Sequence, residues 1–127
     1  MTIIKGQSQT FLVYILCVNS PLFSVVIPTY NCKELLIKAI KSVLNQTYQN
    51  FEIIIVDNYS SDGTESLIKN LSNEKIKFTK NKNGGCIGIS RNLGIKLSKA
   101  KWIAFLDSDD IWFENRLSAV FNILKLE

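Results

Sequence analysis

The feature that most constrains the fold is a regular alternation, from residue 23 onward, of short apolar runs with longer stretches of helical period. Four runs have the length and the β-branched or aromatic content of strands, at residues 23–27, 51–56, 76–79 and 102–106. The second and fourth runs are almost continuously apolar, which is typical of strands buried on both faces of a parallel sheet. We therefore expect a sheet covered by helices on both sides.

The segments between these runs have apolar residues at the spacing of amphipathic helices. The residues are Leu36, Ile40, Val43 and Leu44; Thr64, Leu67, Ile68 and Leu71; Ile89, Leu93 and Leu97; and Leu117, Val120, Phe121 and Leu124. Asp62 and Glu65 have the spacing of a capping box at the start of the second helix. The order β-α-β-α-β-α-β-α with right-handed crossovers predicts an α/β fold with an open, mostly parallel sheet flanked by helices.

The composition is that of one globular domain and excludes several kinds of chemistry. The chain has 127 residues, of which 46% are hydrophobic and 20% charged, and it has no histidine. Histidine-dependent nucleophile arrangements and histidine-ligated zinc are therefore excluded. The cysteines Cys17, Cys32 and Cys86 form no CxxC pair and are odd in number, so a reducing compartment fits better than a disulfide framework.

The positive charge is concentrated in one segment. Residues 75–101 contain eight basic residues and no acidic one, within a net charge of +4. One interpretation is a solvated lysine face, and the other is attraction of a nucleoside diphosphate or an anionic membrane surface. Nucleic acid is not expected as a partner, because no helix-turn-helix or zinc-finger pattern accompanies the charge.

Residues 1–22 form an N-terminal extension whose structure the pattern does not decide. The apolar run at residues 11–18 is much shorter than the roughly twenty residues of a membrane span. A signal peptide is disfavoured, because Lys5 is the only basic residue before the run and no small-x-small cleavage site follows. An extra strand, a packed helix and a nonnative extension remain open.

Polar loops follow the four predicted strands, at residues 28–31, 57–63, 81–85 and 107–110. In open α/β sheets, ligands bind outside the carboxyl ends of the strands. We therefore expect these four loops to converge on one rim, and we expect the turns at Asp57 and Asp109 to face each other across one crevice.

The loop after the fourth strand places three carboxylates on one turn, in the sequence Leu106-Asp107-Ser108-Asp109-Asp110. These charges repel one another unless something neutralises them, and Mg²⁺ or Mn²⁺ shared with substrate phosphates would do so. The alternative is a polar turn whose first aspartate caps the next helix.

The other loops carry groups that suit a nucleotide. Asp57 and Asn58 emerge where the second strand ends and can pair with a base edge or a ribose hydroxyl, although the same residue types are common in turns. The loop at residues 83–88 lacks the G-x-G-x-x-G spacing of a dinucleotide site. Arg91 can serve either an anion or an internal carboxylate.

Together the segments VVIPTYN, SVLNQTYQNFEIIIVDNYSSDGT, GGCIGISRNLGI and WIAFLDSDDIW resemble the N-terminal half of a family 2 glycosyltransferase of the GT-A fold. The resemblance implies a Rossmann-like, nucleotide-sugar-binding subdomain over residues 23–127 that ends before the acceptor half. A partner chain is one way to supply that half. The family's catalytic base lies in the acceptor half, so no residue of this chain is expected to act as that base.

The resemblance also implies roles for individual residues. Asp107-Ser108-Asp109 matches the family's DXD motif, so Asp109 would bind Mn²⁺ or Mg²⁺ on the donor diphosphate, with Asp107 beside it. Asp107 and Ser108 would lie near the ribose or the metal's water shell. Pro28, Tyr30, Asp57 and Asn58 would line the nucleoside pocket. Arg91, which the resemblance does not assign, is a further candidate for the donor site. The family often has Asp-Asp-Gly-Ser where this chain has Asp57-Asn58-Tyr59-Ser60, which weakens the expected preference for uracil.

The activity implied is inverting, metal-dependent transfer of a sugar, with UDP-sugar as the expected donor, to a glycan or lipid-linked acceptor. The implied setting is bacterial surface polysaccharide synthesis in the cytoplasm, at the inner face of the membrane. Two alternatives remain, a noncatalytic or truncated nucleotide-sugar binder and a phosphatase of the haloacid-dehalogenase type. In the phosphatase, Asp107 would be the nucleophile and Asp109 the acid, but that class has its pair after the first strand.

Overall fold

A computed structural model describes residues 20–126 of the chain, and the expectations for residues 1–19 lie outside that range. Within it, four strands alternate with four helices, as predicted. The elements are β1 (Phe23–Thr29), α1 (Lys33–Leu44), β2 (Phe51–Asp57), α2 (Thr64–Leu71), β3 (Ile76–Lys80), α3 (Ile87–Leu97), β4 (Trp102–Phe105) and α4 (Arg116–Leu124).

The strands form one parallel sheet in the order β3-β2-β1-β4. The chain therefore moves outward from β1 through β2 to β3 and then returns to the other side of β1. This reversal is a topological switch point, and it opens a crevice outside the carboxyl ends of β1 and β4. The fold thus brings the loop after β4 beside the loop after β1.

Helices cover both faces of the sheet. On one face, Leu36, Ile40 and Val43 of α1 pack with Ile68 of α2 and Leu117 of α4 against the alternate side chains of β1 and β2. On the other face, α3 brings Leu93 against a smaller cluster made of Val26, Ile54 and Val56. Burial of these apolar side chains is the main favourable contribution to folding.

The burial expected for the fourth strand is wrong. Every residue of β1 and β2 is buried, whereas Trp102 and Phe105 of β4 are 39% and 42% exposed. The physical reason is position, because β4 pairs only with β1 among the described strands and so leaves its other edge uncovered. An apolar sequence did not distinguish a central strand from an edge strand here.

The capping box expected at residues 62–65 is also wrong. The N-cap of α2 is Gly63, in the left-handed conformation at φ +88°, and Glu65 pairs instead with Lys69 and Lys80. Asp62 caps two helices at once, because its carboxylate accepts from the backbone N–H of Thr64 at 3.2 Å and of Lys33 at 2.9 Å. The Asp62 side chain therefore ties the start of α1 to the start of α2.

No helix among the described residues combines the length and the apolar character needed to cross a bilayer.

Candidate functional site

All four loops at the carboxyl edge of the sheet contribute to one cavity of about 540 Å³, a volume in the range of small-molecule sites. The four loops and the flanking helix starts supply its lining: Pro28, Thr29, Tyr30, Cys32, Leu35, Asn58, Asn83, Gly85, Ile87, Asp107, Ser108 and Asp109. The turns that begin at Asp57 and at Asp107 therefore meet at the same crevice, as the sequence predicts.

The loops after β1 and β2 are fastened to each other. The backbone N–H of Asn31 donates to the Ser60 hydroxyl at 2.9 Å, and the Asn31 side-chain oxygen accepts from the Ser61 N–H at 2.8 Å. Tyr30 lies beside this connection with its ring exposed at the cavity. This wall of the cavity is held by reciprocal hydrogen bonds between two loops.

Asp57 and Asn58 occupy different environments although they are adjacent. The Asp57 carboxylate is buried and accepts from the backbone N–H and the hydroxyl of Ser60, and it does not line the cavity. Asn58 does line the cavity, and its side-chain oxygen accepts from the Asn83 N–H at 3.0 Å. Asp57 thus shapes the turn, while Asn58 presents its side chain to the crevice.

The loop after β3 closes the same side through Asn83, a residue that the sequence interpretation did not single out. Its side-chain oxygen accepts from the Gly85 N–H and its amide nitrogen donates to the Ser90 hydroxyl, both at 2.9 Å. Gly84 and Gly85 have positive φ, at 58° and 85°, so this loop makes a tight turn in a conformation that glycine adopts readily.

The acidic turn after β4 is held from two sides. Asp107 Oδ1 accepts from Arg91 Nη2 of α3 at 2.8 Å, so Arg91 pairs with an internal carboxylate in this structure. Ser108 Oγ lies 2.9 Å from the Cys32 thiol. The Asp109 side chain is exposed at the cavity and makes no hydrogen bond or ion pair with any residue in 20–126. The alternative that Asp107 caps the next helix is wrong, because α4 begins only at Arg116.

The donor atoms of this turn suit a metal that is shared with a substrate. Among the described residues, no group of three or more histidine, cysteine or acidic side chains converges as a complete metal site. Mg²⁺ and Mn²⁺ in phosphate-binding sites commonly use one or two carboxylates plus phosphate oxygens and water. The unpartnered Asp109 carboxylate, with Asp107 two residues before it, fits that kind of incomplete site.

The basic segment at residues 75–101 does not form a single anion cradle. None of its lysines lines the cavity. Lys77 pairs with Glu52 and Lys80 with Glu65. Most of the segment is therefore a solvated lysine face, as one of the two interpretations predicts. Arg91 is the residue of the segment that contacts the acidic turn.

The sequence profile described as Glycosyl transferase family 2 matches residues 24–126. The chain belongs to glycosyltransferase family 2. Within this family, it is 38% identical over 106 residues to the UDP-Glc:alpha-D-GlcNAc-diphosphoundecaprenol beta-1,3-glucosyltransferase WfaP of Escherichia coli, a match that covers 84% of this chain and 42% of WfaP. It is 42% identical over 104 residues to the poly(ribitol-phosphate) beta-N-acetylglucosaminyltransferase TarP of Staphylococcus aureus, covering 78% of this chain and 32% of TarP.

Solved structures agree with the family assignment. The S. aureus TarS 1-349 structure in complex with UDP-GlcNAc superposes with a TM-score of 0.75 at 28% identity, covering 82% of this chain and 31% of TarS. A Pyrobaculum calidifontis mannosyltransferase in complex with GDP-Man and Mn²⁺ has a TM-score of 0.74 at 20% identity, which shows a shared fold. This family 2 chain thus spans less than half the length of these relatives.

Proposed function

We propose that residues 23–127 form the donor site of a sugar transferase and bind a nucleoside diphosphate sugar, with UDP as the nucleotide, together with Mn²⁺ or Mg²⁺. The observation that carries this proposal is that Asn58 and Asp109 line one cavity of about 540 Å³. Asn58 offers an amide at one side, and Asp109 offers a free carboxylate at the other. That separation of functions suits a ligand with a base at one end and a diphosphate at the other.

The residues that line the cavity divide between these two ends. At the nucleoside end, Pro28 and the exposed ring of Tyr30 supply apolar contact, and the Asn58 side chain pairs with the base edge. Asp57 contributes to this end by fixing the turn that presents Asn58. We therefore propose an indirect part for Asp57 in base recognition.

At the diphosphate end, Asp109 is the proposed metal ligand, and Asp107 and Ser108 lie beside it near the ribose or the metal's water shell. A bound Mn²⁺ or Mg²⁺ would supply Lewis-acid stabilisation of the negative charge that develops on the departing diphosphate. Arg91 neutralises part of the charge on Asp107 and so reduces the repulsion among the carboxylates of the turn. Arg91 therefore supports the donor site without lining it.

The names of two relatives support a proposal for the acceptor. WfaP and TarP are named for a diphosphoundecaprenol and a poly(ribitol-phosphate) acceptor, which supports transfer to a lipid-linked or polymeric acceptor in surface glycan synthesis. We place the activity in the cytoplasm, at the inner face of the membrane, with inversion at the anomeric carbon. We assign the acceptor site and the catalytic base to no residue of this chain.

Family membership argues against the phosphatase alternative, whose aspartate pair would follow the first strand. A noncatalytic nucleotide-sugar binder would have the same cavity, and an assay of sugar transfer to an acceptor separates it from an enzyme.

A melting-temperature screen with nucleoside diphosphates, with and without Mn²⁺, tests the donor site. UDP at about a hundred times its dissociation constant stabilises the folded state by about 2.7 kcal/mol, which raises the melting temperature by several degrees. We expect this shift with Mn²⁺ for the wild type and for Asp110→Asn, whose side chain does not line the cavity. We expect it to be lost in Asp109→Asn. If no nucleoside diphosphate with metal shifts the wild-type melting temperature, the proposed donor site is wrong.

A further inference from the structure

A series of two side-chain contacts among three residues runs from the end of β1 to the acidic turn. Thr29 Oγ1 lies 3.3 Å from Cys32 Sγ, and Cys32 Sγ lies 2.9 Å from Ser108 Oγ. Thr29 is buried at the end of a central strand, so one end of this series is held in the core of the sheet. Ser108 is the middle residue of the acidic turn, and the series therefore connects that turn to the core of the sheet.

The thiol contact and the arginine contact hold the turn on successive residues. Arg91 holds Asp107 from α3, and Cys32 holds Ser108 from the loop between β1 and α1. Asp109 comes next and has no partner among the described residues. Because the side chains of Asp107 and Ser108 are held, the backbone at Asp109 has less freedom. Less conformational entropy is then lost when a ligand binds at Asp109.

We propose that Cys32 is a positioning residue for the acidic turn. Its thiol holds Ser108 so that Asp109 faces the cavity in the orientation that a metal–diphosphate ligand needs. The nature of that ligand rests on the proposed function, whereas the restraint on the turn does not. A thiol can both donate and accept a weak hydrogen bond, so it can serve Thr29 and Ser108 together.

Three variants of the full-length chain test this inference. Cys32→Ala removes the contact, Cys32→Ser keeps a group that can donate and accept, and Cys86→Ala is the matched control at an exposed free cysteine that does not line the cavity. Two quantities are measured for each variant. One is the dissociation constant of UDP with Mn²⁺ by calorimetry, and the other is the hydrogen-exchange rate of the backbone amides of residues 106–110 without ligand.

Cys32→Ala is expected to weaken UDP binding about three- to tenfold, as loss of one hydrogen bond would, and to speed exchange in the turn. Cys32→Ser should bind within about twofold of the wild type, because the hydroxyl replaces the lost hydrogen bond. Cys86→Ala should change neither quantity. A purely packing role for Cys32 predicts instead that Cys32→Ser binds UDP no better than Cys32→Ala.

The outcomes separate this inference from the proposed function. If the wild type binds UDP with Mn²⁺ and Cys32→Ala matches it in both affinity and exchange, Cys32 has no positioning role. If the wild type does not bind UDP at all, the proposed function fails. The exchange rates then decide alone whether the thiol restrains the turn.

Discussion

Arg91 Nη2 donates to Asp107 Oδ1 across 2.8 Å, and this contact joins the middle of α3 to the acidic turn after β4. The guanidinium also lies 5.7 Å from the centre of the Phe105 ring on the strand that leads into the turn. Arg91 Nε is buried without a hydrogen-bond partner in the described structure. Arg91 thus contacts the turn both by charge and by packing, and it offsets one of the three acidic charges of the turn.

Arg91→Met should weaken Mn²⁺-dependent UDP binding about tenfold, because Asp107 then loses its partner and the acidic turn reorients. The free energy of unfolding should change by no more than about 1 kcal/mol, because solvent screens this pair, whose side chains are 35% and 44% exposed. Calorimetry and urea unfolding measure the two effects. Lys96→Met on the same helix is the control and should change neither. A large loss of stability with unchanged affinity would contradict the assignment.

Gly94 sets the distance between α3 and β1. A Cβ added at Gly94 would lie 2.3 Å from Cγ1 of Val26, whereas one added at Gly88 on the same helix would come no closer than 3.8 Å to Cys86 Sγ. Gly94→Ala should therefore destabilise the fold by about 1–3 kcal/mol through overpacking. Gly88→Ala should be neutral or stabilising by up to about 1 kcal/mol. Denaturant unfolding of both variants checks the contrast, and equal stabilities would contradict this close packing.

Glu52 should make stability depend on pH. Burial raises the pKa of this carboxyl, but hydrogen bonds from Lys77, Ser24 and the Lys99 N–H outweigh that effect and hold the pKa below its ordinary value of 4.5. A lowered pKa in the folded state contributes stability above 4.5 that is lost as the pH falls through the folded value.

Glu52→Gln should therefore lower the free energy of unfolding by about 1–3 kcal/mol at pH 7. The difference from the wild type should shrink as the pH falls below 4.5. Urea unfolding between pH 7 and roughly pH 3 measures this change. Glu74→Gln, at an exposed carboxylate, is the control. A wild type and a Glu52→Gln variant with parallel pH profiles would contradict the account.

Tyr59 occupies a position that suits glycine. Its φ is +54°, in the left-handed region, and its ring is exposed between Lys80 and Lys82. Tyr59→Gly should therefore be more stable than Tyr59→Ala by about 1 kcal/mol. At the exposed helical residue Asn92, the order should reverse, with alanine the more stable substitution. Thermal or urea unfolding of the four variants measures these stabilities. If Tyr59→Ala were more stable than Tyr59→Gly, the backbone at position 59 would not be strained.

The sequence predicted the order of the elements well, because the change from short apolar runs to helical spacing reflects which side chains face the core. It did not predict the exposure of β4, since Trp102 and Phe105 are as apolar as the residues of β2. Whether a strand is central or at an edge depends on which strands pair, and that is decided by long-range topology. The capping box was wrong because Gly63, in a left-handed conformation, is the N-cap of α2 in place of Asp62.

Within the site, position after a strand predicted which loops converge but not where each side chain points. The sequence offered no reason to assign Asp57 and Asn58 different roles. In the structure, Ser60 donates to the Asp57 carboxylate, whereas Asn58 lines the cavity. Cys32 and Asn83 were missed because their contacts cross between loops, from Cys32 to Ser108 and from Asn83 to Asn58. Their placement directly after β1 and β3 was the available signal.

The most direct test of the central claim is a titration of the isotope-labelled full-length chain with UDP and Mg²⁺, followed by NMR of the backbone amides. The account predicts that the amides of Asn58 and Asn83 on one side, and of Asp107, Ser108 and Asp109 on the other, shift together with one dissociation constant. Asp109→Asn should abolish the metal-dependent part of the shifts. Shifts in only one of the two turns, or two unrelated dissociation constants, would contradict a single nucleotide held between them.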